Sequence, residues 1–78
     1  MKLVEVIWDD SAHLTPRWRS FGEIRASRAA TCETVGYVVK RSRRWLLLSS
    51  TVSIGDSEGY CAFRIPTGAI RRIRRIRR

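Results

Sequence analysis

The sequence predicts a mainly β fold in which five short strands close into a small barrel, with one short helix after the first strand. Four segments rich in β-branched and aromatic residues predict the first four strands. Clusters of glycine, proline, aspartate and serine separate several of them at hairpin distances. A Pro66-Thr67-Gly68 break then precedes a last segment that mixes isoleucine with arginine. The chain has 78 residues, enough for one domain. A chain of that size buries only about 60% of the surface it exposes when unfolded. Closure suits so thin a core, because a closed sheet leaves few edges open to other chains.

Residues 2–8 (K-L-V-E-V-I-W) read as the first strand, with Val4, Val6 and Trp8 on one face and Glu5 on the wetter one. Residues 9–19 form a polar connection in which Asp9-Asp10 and Pro16 discourage regular structure. Ser20-Phe21-Gly22-Glu23 has capping-box spacing, in which the serine oxygen accepts from an orphan helical amide and the glutamate reaches back. A helix over 21–29 follows, with Phe21 and Ile24 turned inward, although Gly22 weakens it. Residues 31–40 and 44–54 form a hairpin around the basic tip Lys40-Arg41-Ser42-Arg43-Arg44. On its second strand Leu46, Leu48, Val52 and Ile54 alternate inward, and Ser50 continues that face. Gly55 to Gly59 is a turn, and residues 60–65 give a fourth strand with Cys61, Phe63 and Ile65 on one side.

At 66–68 the proline removes a ladder donor and the glycine permits a tight bend, so a 3₁₀ turn and a brief last strand are expected. The I-R-R repeat that follows has a period of three, which matches neither a strand nor an α-helix. The barrel domain is therefore expected over residues 1–73, with a frayed arginine-rich tail over 74–78. The whole pattern is that of an SH3-like or Sm-like barrel, with an open curled sheet as the alternative.

The totals narrow the function. Met1 to Trp8 is apolar but carries Glu5, and Asp9 and Asp10 follow, so no signal peptide is expected. No stretch approaches the roughly 20 apolar residues of a membrane helix. Cys32 and Cys61 are too few for a disulfide framework, lack zinc-site spacing and read as buried free thiols. The expected compartment is cytoplasmic. The net charge is +9, and it is unevenly placed. Arg64 to Arg78 holds seven arginines and no acid, whereas residues 1–63 carry nine cations against seven acids. Such asymmetry points to an anionic partner or to a solvated terminus.

Catalysis finds little support. Asp9, Asp10, Ser11 and His13 share one stretch, and an acid can orient a histidine as a base. No nucleophile motif or oxyanion hole accompanies them, and Asp and Ser after a strand are ordinary turn residues. The five glycines form neither G-x-x-x-x-G-K nor G-x-G-x-x-G, which excludes a P-loop enzyme. No catalytic residue, metal or cofactor is expected.

Phosphate binding has three candidate places. In Arg17-Trp18-Arg19 an indole could stack a base while guanidiniums take phosphate oxygens. The plain alternative is a tryptophan lid with solvated arginines. The hairpin tip offers Arg41, Arg43 and Arg44, although charged tips also deter aggregation. The tail offers Arg71, Arg72, Arg74 and Arg75, and six of its last eight residues are arginine. Guanidinium suits phosphate better than ammonium does, and arginine outnumbers lysine 14 to 2. A genomic preference for arginine codons is the competing cause.

V-x-V-I-W-D-D at 4–10, Trp18-Arg19-Ser20, E-T-V-G-Y-V-V at 33–39 and I-P-T-G-A-I-R-R-I at 65–73 resemble a group of small phage proteins, mostly uncharacterised. The resemblance implies a phage accessory protein that interferes with the host, acting in the host cytoplasm. Proteins of this kind include sponges that sequester cyclic nucleotide signals of bacterial immunity, often as oligomers. The expected function is thus a non-catalytic accessory protein that binds a phosphate-bearing ligand, in its sharpest form a host immune signalling nucleotide. The alternatives are a DNA- or RNA-binding accessory protein using the arginine-rich tail and an inhibitor that docks on a host enzyme. A thin core and an exposed β edge also lead to the expectation of a homo-oligomer.

Overall fold

The computed structural model describes residues 1–11 and 16–77. In chain order the elements are β1 (Leu3–Asp10), α1 (Phe21–Ala26), β2 (Ala30–Arg41), β3 (Trp45–Ser53), β4 (Glu58–Pro66), a 3₁₀ turn (Thr67–Ala69) and β5 (Ile70–Arg75). The five strands form one sheet in the order β4-β3-β2-β1-β5, with every neighbouring pair antiparallel. The mainly β architecture and its five strands follow the sequence pattern. The ladder that would close a barrel, between β4 and β5, is not made among the described residues, so the sheet is open.

The sheet is nevertheless sharply curled, and β2 carries the bend. Its first part pairs with β1, from Ala30↔Asp10 to Tyr37↔Leu3. Its last part pairs with β3, from Tyr37↔Ser49 to Arg41↔Leu46. Gly36 sits where the two ladders meet, and a Cβ there would lie 3.1 Å from the Leu48 Cβ and 3.2 Å from the Ser49 carbonyl oxygen. The curl brings Val4, Val6 and Trp8 of β1 against Leu46, Leu48 and Ile65 of β3 and β4 to make the core. The rings of Trp8 and Phe63 meet edge to face at 5.4 Å, although β2 and β3 lie between their strands. The Trp8 indole N–H donates to Thr34 Oγ1 at 2.9 Å, which satisfies its one polar atom.

Five expectations need correction. The helix stops at Ala26, short of 29, and buries no residue, so Phe21 and Ile24 face solvent. The serine half of its cap is made, with Glu23 N–H donating to Ser20 Oγ at 3.1 Å, whereas the Glu23 carboxylate accepts from Arg17; the helix buries no residue, so no packed face holds a longer one. On β3 the buried serine is Ser49, whereas Ser50 is exposed. The ladder skips the Ser50/Cys61 pair, where Cys61 adopts a left-handed φ of 55°. That kink carries Cys61 outward, so it is an exposed thiol and not a buried one, while Cys32 is half-buried against the core. Ile54 falls in the hairpin turn and is exposed.

The fifth correction concerns the expected frayed tail. β5 runs to Arg75, past the expected end at Ile73, and the Ile76 N–H donates to the Leu3 carbonyl at 2.8 Å. Pairing with β1 supplies what the period of three does not. Ile70 and Ile73 lie opposite Trp8 and Val6 on the core face, and Arg72 and Arg74 lie opposite Ile7 and Glu5 on the other face. A register shift between Ile7 and Trp8 accommodates the extra residue, Arg71.

Candidate phosphate-binding surface

The arginines of β5 are arranged by the alternation of a strand, and part of their charge is met by β1. Arg71 Nε stands 3.3 Å from Asp9 Oδ2, and Arg74 Nη2 stands 3.2 Å from Glu5 Oε2. Both guanidiniums stay more than half exposed, so each pair is a screened surface contact of at most about 1 kcal/mol. Arg72 lies between them on the outer face, and Arg75 lies on the core side opposite Val4. β5 is an edge strand, so this row of arginines runs along an open border of the sheet.

The hairpin tip adjoins the start of that border. Ser42 closes the tip, its N–H donating to the Trp45 carbonyl at 2.8 Å while its Oγ accepts from the Trp45 N–H at 3.2 Å. This leaves Arg43 and Arg44 exposed at the bend. The Thr67 N–H, in the 3₁₀ turn, donates to the Arg44 carbonyl at 2.8 Å. That bond extends the β3–β4 pairing one step past Trp45↔Pro66 and holds the tip beside the segment leading into β5, four residues before Arg71. Arg41 ends β2 beside it, opposite Leu46. Next to the tip, the Arg64 guanidinium lies 5.1 Å from the centre of the Trp45 ring. Sequence reasoning passed over this pair, whose only signal is that Trp45 and Arg64 fall on neighbouring strands two ladder steps apart.

The third candidate place is separate from the first two. Arg17 Nη2 donates to Glu23 Oε2 at 3.0 Å, and Arg19 Nη1 stands 3.8 Å from the same oxygen. The two guanidiniums of Arg17-Trp18-Arg19 are therefore gathered on an internal carboxylate, with Trp18 projecting into solvent. Among the described residues, two open concavities lie elsewhere. One, of about 360 Å³, is lined chiefly by Met1, Val39, Val52 and Ile54, with Glu58 on its rim. The other, of about 310 Å³, is lined by Val39, Leu47, Leu48, Ala62, Phe63 and Arg64. Neither gathers the arginines of β5 or the tip.

Asp9 acts as a structural tie. Its Oδ1 accepts from Thr31 Oγ1 at 3.1 Å, and its Oδ2 meets Arg71, so it joins β1 to both neighbouring strands. His13 lies outside the described residues. Among the described residues no group of three or more His, Cys, Asp or Glu is placed to hold a metal, and no helix is long and apolar enough to cross a membrane. No protein-family model, curated protein or solved structure matches the chain.

Proposed function

We propose that this protein is a non-catalytic binder of phosphate-bearing ligands, and that the ligand it suits best is the backbone of a polynucleotide. The observation that carries the reading is the Thr67–Arg44 hydrogen bond, which brings the Arg43-Arg44 tip beside the segment that leads into the β5 arginines Arg71, Arg72, Arg74 and Arg75. An open border favours an extended polyanion over a small nucleotide, which needs a concave site that surrounds it. Arginines on an edge strand also deter pairing with other chains, and that simpler role is the alternative to be beaten. We read the strand order 4-3-2-1-5, with its 3₁₀ turn before the last strand, as a small SH3-like barrel lacking its final ladder.

Salt dependence of DNA binding tests the function. Arg71 and Arg74 are partly met by β1, leaving Arg43, Arg44, Arg72 and Arg75 as the main phosphate contacts. Four contacts give a slope of log affinity against log salt near −3.6 for duplex DNA, at about −0.9 per phosphate. Arg72→Gln with Arg75→Gln should reduce that slope to about −1.8 and weaken all sequences alike. Absence of binding to duplex and single strands at low salt would refute the polynucleotide reading. Depletion of a cyclic dinucleotide, returned unchanged on heating, would favour a nucleotide sponge in its place. If neither ligand binds, docking on an acidic protein surface is what remains.

A further inference from the structure

We infer that the arm formed by residues 16–28 docks into the apolar concavity of a second copy of this chain. The arm is poorly satisfied where it stands. Trp18 is 98% exposed, Phe21 75% and Ile24 46%, and α1 buries no residue. Six helical residues without a packed face are marginal in water, so the arm needs a surface to lie on. A matching surface exists on the same molecule. The concavity at the turn end of the β3–β4 hairpin holds about 360 Å³ and is bordered by Met1, Val39, Val52 and Ile54. Val39 is 54% and Ile54 81% exposed.

Charge selects the occupant. Residues 45–63 carry Asp56 and Glu58 and no cation, so this hairpin is the acidic part of a +9 chain. The arm carries Arg17 and Arg19, which pair with its single acid Glu23, and the further cations Arg25 and Arg28. A second copy therefore brings a basic, apolar arm to an apolar concavity that carries Glu58, on the hairpin that holds Asp56, and opposite charges there would steer and orient the encounter. Exposed area points the same way. The chain exposes 6641 Å². A folded monomer of its mass exposes about 4,900 Å². The excess is more than the roughly 800 Å² that each partner contributes to a standard interface. Docking here leaves the β5 border free, so each assembly would carry more than one arginine row.

Mass and tryptophan emission measured together over a dilution series test this. The concentrated protein should have a mass that is a multiple of 9.0 kDa. Its emission should shift to the red on dilution as Trp18 is released to water. Trp18→Ala removes a side chain that packs on nothing in the free chain, and Ile54→Lys changes an exposed turn residue, so neither should unfold the sheet. Each should lower association at least tenfold, and Glu58→Arg should weaken it more at low salt than at high salt. A mass of 9.0 kDa at all concentrations would overturn the proposal. So would an assembly that persists in both variants, since it would then use another surface such as the β4 edge. A blue-shifted Trp18 in a chain of monomer mass would place the arm on its own concavity and overturn it equally.

Discussion

At the scale of single residues, the tightest constraint is the approach of Gly59 to Ser49. A Cβ on Gly59 would lie 2.5 Å from Ser49 Oγ and 3.1 Å from Ser49 Cβ, and the serine cannot yield freely. Its hydroxyl is buried and shared between the Thr51 carbonyl at 2.7 Å and the Tyr60 carbonyl at 2.9 Å. Gly59→Ala should therefore cost about 1–3 kcal/mol in chemical denaturation, the usual penalty for overpacking. In a Ser49→Ala background the nearest atom is gone, so the added cost of Gly59→Ala should fall. Equal costs in the two backgrounds would show that the strain lies in the backbone. The sequence concealed this site because the β3–β4 ladder is interrupted beside it at Cys61, an ordinary residue in a left-handed conformation that alternation of apolar residues does not register. Reading Ser50 as inward assumes an uninterrupted alternation, and the kink breaks it.

Among the elements, the strands were legible and the ends of the sheet were not. Val4, Val6 and Trp8 alternate cleanly because β1 is central and has one face in the core. The Pro-Thr-Gly break gave the 3₁₀ turn, since fixed φ and a missing donor act locally. β5 was harder to read. Its I-R-R pattern is strand-like only when laid beside Glu5 and Asp9, acids at the far end of the sequence. The helix failed in the opposite way: its cap is local and was legible, whereas the absence of anything to pack against is not. The same argument places the arginine border. Each basic segment could be seen in the sequence, but the Thr67–Arg44 bond that sets the tip beside the turn leading into β5 could not. Removing residues 74–78 should consequently destabilise the sheet measurably in thermal unfolding. It deletes the Arg74–Glu5 pair, the Ile76–Leu3 hydrogen bond and the end of β5. An unchanged midpoint would mean that the sheet does not depend on this end of β5.

For the molecule as a whole, charge and shape work together. A radius of gyration of 15.9 Å and extents of 53 × 22 × 22 Å describe an elongated body. A compact chain of this length has a radius near 11.5 Å. Elongation spaces out a charge of +9, yet repulsion among exposed arginines still opposes the folded state. The ion pairs of Arg17 and Arg19 with Glu23, of Arg71 with Asp9 and of Arg74 with Glu5 are each exposed on at least one side and contribute little in return. Raising salt from about 20 to 200 mM shortens the Debye length from roughly 20 Å to below 10 Å, and the midpoint of thermal unfolding should rise. A fall would show that the ion pairs outweigh the repulsion.

The bond from Ile76 to Leu3 also bears on how the chain could be rewired. It holds residues 3 and 76 side by side, although the ladder it extends joins the most distant parts of the sequence. Bringing them together carries the largest loop-closure entropy of any pairing in the sheet, so β5 should be the last strand to join during folding. A circular permutant with a short glycine-serine linker from residue 78 to residue 1, opened between Gly55 and Asp56, would make that pairing local at the cost of separating β3 from β4. It should keep the native β spectrum, because the cut falls in an exposed turn, and β1–β5 pairing should move from the slowest phase of folding to an early one. The same slow phase in the permutant would show that closing this loop does not limit folding.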